Sequence, residues 1–356
     1  MNKFPFIISY IVLLSSIIIS NFLGEIKHYG VVSFYIGELY LYFCCWQILK
    51  QRNGFYLNKF LKYCIFLGGI IGIYSLFETI TRTNPYVNFV NSLGAYINDF
   101  LVTEIRFGVK RSQTLFAMHT TNAGISLILF YVLFYIKKYS SYHFKKISIL
   151  IITLLLVNIF FSGARSAIIG TIICLITFYD KKIFSLKYIL LFLLIIIITS
   201  SILSNYFQEI IGSIVDTNKV GGSNSEMRSN QFEIGFFFLN KSFWFGNGIN
   251  YIWEIVLPDY KELYGAESLW LPIMVDQGFF GIIAYSLLII NFIYYIYIHK
   301  QKKLIFFVVG FVVFNSMSSI PCVSIISISI YLIAIIELLS KYTKHETFNH
   351  TSNLQR

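Results

Sequence analysis

The chain has 356 residues, of which 56% are hydrophobic and 19% aromatic, while only 13% are charged and the mean hydropathy is +0.69. This balance excludes a soluble globular protein, because the apolar residues form blocks long enough to cross a bilayer. Membrane topology explains the net charge of +11 better than nucleic acid does. The five cysteines lie in apolar runs without a CxxC pair, which indicates neither a metal site nor a disulfide framework.

The apolar blocks predict an all-α polytopic membrane protein with about ten transmembrane helices. Residues 1–356 are expected to form a single membrane domain, and the first block is expected to act as a signal anchor. The predicted spans are 4–23, 31–49, 61–80, 117–136, 147–162, 165–179, 188–205, 279–298, 304–320 and 322–340.

The distribution of charge supports this topology. With the N-terminus in the cytoplasm, every internal lysine cluster falls on the cytoplasmic side, and 18 of the 28 basic residues lie there against three of the 17 acidic residues. Cytoplasmic loops of membrane proteins carry an excess of lysine and arginine. The sequence therefore predicts that both termini are cytoplasmic.

A single arginine, Arg165, interrupts the 33 residues 147–179, which carry no other charge. Lysine pairs flank this stretch at 145–146 and 181–182, and only a helical hairpin keeps both pairs inside. Two full spans need about 40 residues, so the turn at 162–166 is expected at, or slightly below, the outer surface. A charge at membrane depth costs about 3 kcal/mol, so Arg165 is expected to be functional.

Two outer segments are too long to be simple turns. The first covers 81–117, and the second covers 206–277 between the seventh and eighth spans. Connections of this length are usually functional, so the second loop is expected to carry catalytic residues. Within it, the pattern predicts a helix over 226–240.

Arginine is concentrated on the outer side, where topology does not require it. Guanidinium groups bind phosphate oxygens bidentately, so converging arginines would suit a pyrophosphate on a lipid. Alternatively, outer arginines snorkel or pair with local acids such as Glu104 and Glu226. The outer arginines are Arg82, Arg106, Arg111, Arg165 and Arg228.

Two acidic residues near the eighth span are candidates for a general base. Glu267 and Asp276 lie nine residues apart, and a carboxylate at a partly desolvated interface can take up a proton. The alternative is that both are solvated capping acids. No Asp-x-Asp pair, P-loop or GxGxxG motif is present, so any group transfer would need a donor activated outside the cytoplasm, without ATP or a nucleotide.

The second loop also carries aromatic residues and a glycine turn. Trp244, Tyr251, Trp253 and Trp270 are candidates for stacking on sugar faces, or else they belong to the interfacial aromatic belt. The sequence WFGNG at 244–248 predicts a tight turn with exposed backbone amides, for which a plain structural turn is the alternative.

Four segments in this order resemble the O-antigen polymerase and O-antigen ligase superfamily, over roughly residues 100–300. RSQTLFAMH at 111–119 resembles the pattern R-x-x-G-x-F followed by proline, with Thr114 in place of glycine and Thr120 in place of proline. SGARS at 162–166 is similar to the short S-x-x-R turn. Arg228 followed by WFGNG resembles R…P-x-G-x-G, although Ser242-Phe243 replaces the frequent Asn-Pro. Glu267 with the later Gly278 and Gly281 resembles [HE]-[NS]-x-x-L…G-x-x-G.

The resemblance implies a membrane glycosyltransferase acting on undecaprenyl-pyrophosphate-linked glycans in the bacterial cytoplasmic (inner) membrane, with membrane lipid as its surroundings. It implies neither metal nor cofactor. A chain-length regulator and a flippase are expected as partners, and no nucleic acid. Carried onto this sequence, the catalytic residues would be Glu267, Arg165 and Arg228, and the substrate-binding residues Arg111, Arg106, Asp276, Trp244 and Trp270.

Within this superfamily, Glu267 favours a repeat-unit polymerase that makes O antigen, capsule or exopolysaccharide, because ligases often have histidine at the matching position. An O-antigen ligase, which transfers finished polymer to lipid A-core, is the closest alternative. A non-enzymatic transporter of lipid-linked glycans is the alternative from another class. It would be expected to show polar residues through many spans and internal two-fold repetition.

Overall fold

Helices form nearly all of the regular structure, which confirms the all-α prediction. The computed structural model describes residues 4–50, 55–92, 105–106, 109–116, 118–142, 144–178, 225–260, 266–318 and 325–353. Its α-helices of eight or more residues are α1 (Ile7–Leu23), α2 (Tyr29–Lys50), α3 (Phe55–Thr81), α4 (Pro85–Ser92), α5 (His119–Tyr139), α6 (Lys146–Phe161), α7 (Arg165–Ile176), α8 (Ser225–Lys241), α9 (Trp270–Ile298), α10 (Ile305–Ser316) and α11 (Ile328–Asn353). A π-helix covers Ile252–Val256. Two short strands, β1 (Ile105–Arg106) and β2 (Val109–Lys110), pair antiparallel.

Nine of the ten predicted spans overlap a helix, and the span at 188–205 lies outside the described residues. Two boundaries need correction at the ends of the spans, because α3 begins six residues before 61 and α11 ends thirteen residues after 340. Helices α2, α3, α5 and α9 and the segment Ile325–Tyr342 are long and apolar enough to cross a membrane. The apolar helices α1, α6 and α7 are shorter. The chain is therefore a polytopic integral membrane protein.

Helix α9 begins nine residues before the predicted span at 279–298, which corrects that boundary. The reason is a break within the helix at Gly278, whose φ of 66° and ψ of −160° are not helical. Glycine adopts positive φ without steric cost, so the chain bends there and remains helical on both sides. The predicted helix at 226–240 is confirmed as α8.

Helices α6 and α7 form the predicted hairpin around the turn at 162–164. The sixteen residues of α6 and twelve of α7 correspond to about 24 and 18 Å of helix at 1.5 Å per residue. Both lengths are shorter than a hydrocarbon core of about 30 Å. The depth of the turn below the outer surface stays a prediction.

Lysines from separate segments gather at one end of the helices, here named the lysine end. Lys138 Nζ donates to the carbonyl of Phe178 at 2.6 Å, and Lys303 Nζ donates to the hydroxyl of Tyr139 at 3.1 Å. These contacts place the end of α5, the region just after α7 and the start of α10 together. The turn at 162–164 lies at the opposite end, here named the arginine end because Arg111, Arg165 and Arg228 lie there.

Helices α7 and α10 approach closely through two glycines. A Cβ atom on Gly170 would lie 2.9 Å from the carbonyl oxygen of Gly310, and one on Gly310 would lie 2.7 Å from Cys174 Sγ. Small residues allow such backbone contact between membrane helices, where packing replaces the hydrophobic driving force. This contact sets the position of the α7 N-terminus against the end of α10.

Candidate functional site

An ion pair between two distant segments lies at the arginine end. Arg228 Nη2 is 3.1 Å from Glu267 Oε2, and the side chains are 29% and 22% exposed, so solvent reaches both. Gln231, three residues after Arg228 and on the same face of α8, accepts the backbone N–H of Glu267 at 3.2 Å. The structure therefore brings together an arginine and a carboxylate that are 39 residues apart.

The segment that carries Glu267 is held on the C-terminal end of α10. The backbone N–H of Leu269 donates to the carbonyl of Asn315 at 3.0 Å, and Trp270 Nε1 donates to the hydroxyl of Ser316 at 2.8 Å. Arg228 Nη2 also donates to the carbonyl of Met317 at 3.4 Å. The contacts with the carbonyls of Asn315 and Met317 satisfy groups that a helix end leaves without intrahelical partners.

Arg165 reaches the same region from α7. It is the first residue of that helix and is partly exposed. The hydroxyl of Ser166 lies 2.8 Å from that of Ser318, one residue beyond the carbonyl that Arg228 contacts. A helix N-terminus carries partial positive charge, so an arginine there is unfavourable on its own. An anion bound at this point would be stabilised by both charges.

Arg111 is buried against the turn that precedes Arg165. Its Nε donates to the carbonyl of Ser162 at 3.0 Å, and its Nη2 donates to that of Gly163 at 2.9 Å. The backbone N–H of the next residue, Ser112, donates to the carbonyl of Phe161 at 3.0 Å. At least two of its donors therefore stabilise the hairpin turn, which favours a positioning role over direct contact with a substrate.

Thr114 stands where the motif R-x-x-G-x-F has glycine, and its backbone conformation explains why that motif uses glycine. Thr114 has a φ of 53°, in the left-handed region that favours glycine. Its hydroxyl donates to Asn122 Oδ1 at 2.9 Å, and Asn122 Nδ2 donates to the carbonyl of Ser112 at 2.9 Å. The hydroxyl contact of Thr114 with Asn122, which glycine could not make, therefore helps to hold threonine in this conformation.

Asp276 lies next to the break in α9, and its carboxylate accepts two backbone N–H groups. Those donors belong to Asn250 at 3.0 Å and Ile252 at 2.9 Å. The carboxyl side chain therefore caps the segment that follows the glycine turn. This geometry favours a positioning role for Asp276. The expectation of a solvated capping acid is corrected, because the side chain is buried.

The glycine turn at 246–248 is an interior junction. Backbone and side-chain nitrogens of Asn247 donate to the carbonyl of Val275 at 3.1 and 2.8 Å, and the carbonyl of Asn247 accepts the N–H of Glu25 at 2.8 Å. A Cβ atom on Gly246, whose φ is 74°, would lie 2.2 Å from the carbonyl oxygen of Asp276. The amides of Asn247 and Gly248 are used within the protein, which favours a structural turn over an anion site.

The tryptophans occupy different places. Trp270 lies beside Glu267, whereas Trp244 is 59% exposed and packs edge-on against Phe279. Phe279 is nine residues along α9 from Trp270, roughly 14 Å by helical rise. Trp244 is therefore distant from Glu267, which does not favour a direct role for it at the ion pair. Of Arg106, the structure describes only the backbone, in β1.

Two contributors to the site were not predicted from the sequence. Gln231 was detectable in principle, because it lies one turn after Arg228 on a predicted helix. Ser318, beyond the last turn of α10, had no such signal. Its contact with Ser166 depends on how α7 and α10 pack.

The fold defines a polytopic membrane protein with polar side chains converging at one end of short helices. Residues 149–286 match the family model described as O-Antigen ligase. This segment runs from α6 into α9 and includes Arg165, Arg228 and Glu267. The resemblance to the O-antigen ligase and polymerase superfamily is thereby confirmed, and its members are glycosyltransferase-like enzymes. A comparison with curated proteins finds no match.

Proposed function

We propose that the chain is a polysaccharide repeat-unit polymerase acting at the extracytoplasmic face of the bacterial inner membrane, with both termini in the cytoplasm. It joins undecaprenyl-pyrophosphate-linked oligosaccharide repeats into O antigen, capsule or exopolysaccharide. The observation that supports this most is the partly exposed Arg228–Glu267 ion pair. Arg228 of this pair contacts the C-terminal end of α10, and Ser166, next to Arg165, packs against the same end.

In the proposed reaction, the donor is the growing glycan on undecaprenyl pyrophosphate, and the acceptor is the terminal sugar of one lipid-linked repeat. Glu267 takes the proton from the acceptor hydroxyl, whose oxygen attacks the anomeric carbon of the donor. The bond between that carbon and the pyrophosphate oxygen breaks, and its electrons leave with the lipid pyrophosphate. Arg165 and Arg228 stabilise the charge on this leaving group.

The ion pair gives Arg228 two successive partners in this scheme. Before the substrate binds, Arg228 orients Glu267 through the contact at 3.1 Å. When the pyrophosphate arrives, the guanidinium fork turns to its oxygens, and Glu267 becomes available to the acceptor hydroxyl. Arg111 contributes by supporting the turn below Arg165, and Trp270 offers an aromatic face beside Glu267.

A ligase is the second candidate, because the matching family model is described as O-Antigen ligase. A ligase would transfer finished polymer to lipid A-core at the same arginine end. The glutamate at position 267 favours the polymerase. A chain-length regulator and a flippase are proposed partners of the polymerase alone.

The test is deletion of the gene in its native host, followed by complementation with variants. Loss of all polymer, with single repeats left on the carrier lipid, is expected for a polymerase. Polymer that is still made but remains on the carrier lipid would instead identify a ligase. For Glu267→Gln, we expect a fall in polymer of about a hundredfold or more, because a general base contributes roughly that much.

Arg165→Lys and Arg228→Lys keep the charge but lose the fork, so shorter and scarcer polymer is expected from each. The matched control is Glu233→Gln, which changes an exposed acid on the same helix as Arg228 and should complement fully. Full-length polymer from a normally inserted Glu267→Gln protein would exclude the assigned base.

A further inference from the structure

A buried carboxylate outside the reacting groups contacts the segment that carries Arg111. Glu78 lies three residues before the end of α3 and is fully buried. A charged side chain in such a place is costly unless partners compensate it. The identity of those partners therefore indicates what the carboxylate does.

Every residue of the segment 110–114 except Arg111 contacts this carboxylate. The contacts are the backbone N–H of Gln113 at 3.1 Å and of Thr114 at 2.8 Å, the hydroxyl of Ser112 at 3.4 Å and the ammonium of Lys110 at 3.4 Å. With its neighbours on both sides anchored, Arg111 extends in the other direction, to the carbonyls of Ser162 and Gly163. This carboxylate thus contacts residues on both sides of Arg111.

We propose that Glu78 is a positioning residue, which anchors the segment 110–114 so that Arg111 supports the turn before Arg165. This inference rests on the proposed function, because the role of Arg165 is assigned there. Glu78 has no direct contact with the Arg228–Glu267 pair among the described residues. Its effect on the reaction would pass through Arg111 alone.

The charge of the anchor is balanced locally. Lys110 is also buried, and burial lowers the pKa of its ammonium, while the nearby Glu78 raises it. Removing one member of a buried ion pair leaves the other uncompensated. A glutamine at position 78 would accept hydrogen bonds through one oxygen only, and its amide nitrogen would meet a donor from Lys110 or from the backbone.

The experiment compares Glu78→Gln, Arg111→Gln and the variant with both changes. Polymer is measured in complemented cells per molecule of inserted protein. Glu78→Gln is expected to lower polymer by about tenfold or more, since small displacements of catalytic groups have large effects on rate. The variant with both changes should be no worse than Arg111→Gln, because residues acting through one path are not additive. Independent, multiplied losses would overturn the proposal.

Charge compensation supplies a second arm if Glu78→Gln inserts poorly. Adding Lys110→Met to Glu78→Gln removes the uncompensated ammonium, so insertion and part of the polymer yield should return. The control is Glu38→Gln, which changes an acid in another apolar helix, α2. The carboxylate of Glu38 accepts a hydrogen bond from the hydroxyl of Tyr42. Equal losses of polymer per inserted molecule in this control would contradict a specific role for Glu78.

Hydrogen exchange of the purified protein separates this inference from the proposed function, because it needs no activity. Amides of Gln113 and Thr114 should exchange about tenfold faster or more in Glu78→Gln, whereas amides of α11 should not change. Unchanged exchange at 113–114 would overturn the anchor. Faster exchange with undiminished polymer per molecule would overturn only its link to the reaction, and the proposed function would stand.

Discussion

At the residue scale, Arg111, Arg165 and Arg228 have three different environments. Arg111 is buried and gives two donors to backbone carbonyls. Arg228 is partly exposed and paired with Glu267, and Arg165 begins a helix beside the same site. Burial and partners, which follow from the packing of the segments, therefore separate the backbone-bonded Arg111 from the two partly exposed arginines that we propose bind an anion.

Asp276→Asn tests whether this acid positions the chain or reacts. The asparagine side chain has one acceptor oxygen for two backbone N–H groups, so one of them is left unsatisfied, at a cost of about 1–3 kcal/mol. We expect a lower midpoint of thermal unfolding in detergent, with polymer per folded molecule nearly unchanged. An unchanged midpoint combined with lost polymer would assign Asp276 to the reaction instead.

At the element scale, short helices and broken helices create the site. Helices α6, α7 and α10 have 16, 12 and 12 residues, so each is shorter than the roughly 20 residues that cross a bilayer. The break in α9 at Gly278 exposes carbonyls that the glycine turn at 246–248 satisfies. Irregular backbone at membrane depth is tolerated where protein groups satisfy it.

Gly170→Ala tests the contact between α7 and α10. Its Cβ atom would lie 2.9 Å from a backbone oxygen, so the helices must separate, at a cost of about 1–3 kcal/mol. We expect a lower thermal midpoint and less polymer per folded molecule, because Ser166 moves away from Ser318. The matched control is Gly37→Ala in α2, where no atom lies within 4 Å of the added Cβ. Equal behaviour of the two variants would rule out this helix contact as the constraint.

At the scale of the whole molecule, polarity is divided between two ends. Lys138 and Lys303 make their contacts at the lysine end. The Arg228–Glu267 ion pair and the hairpin turn lie at the arginine end. By the positive-inside rule, we expect the lysine end in the cytoplasm. The arginine end would then face the compartment where lipid-linked glycans are polymerised.

Cysteine labelling tests this orientation. In a variant with all five native cysteines replaced by alanine, we expect Asn240→Cys to react with a membrane-impermeant maleimide in intact spheroplasts. Ser141→Cys, at the lysine end, should react only after lysis. Both positions are exposed, so access depends on the side of the membrane. Labelling of Ser141→Cys before lysis, with Asn240→Cys protected, would show that the orientation is opposite to the one proposed.

Helix positions and the hairpin around Arg165 were predictable from the sequence, because apolar length and charge sidedness depend only on local composition. The order of the motifs along the chain indicated the superfamily, because it too can be read from the sequence alone. Which residues meet was a different question. The Arg228–Glu267 pair spans 39 residues, and the contacts of Arg111 and Glu78 join segments that sequence spacing does not relate.

Only the tertiary structure could decide that Arg111 contacts a turn, that Asp276 caps a backbone segment and that Glu78 contacts the segment 110–114, which carries Arg111. The physical reason is that a polar group in an apolar environment must find a partner, and packing alone determines which partner is near. The sequence by itself determined a polytopic membrane protein with a costly charge at Arg165. Packing decided which side chains surround that charge.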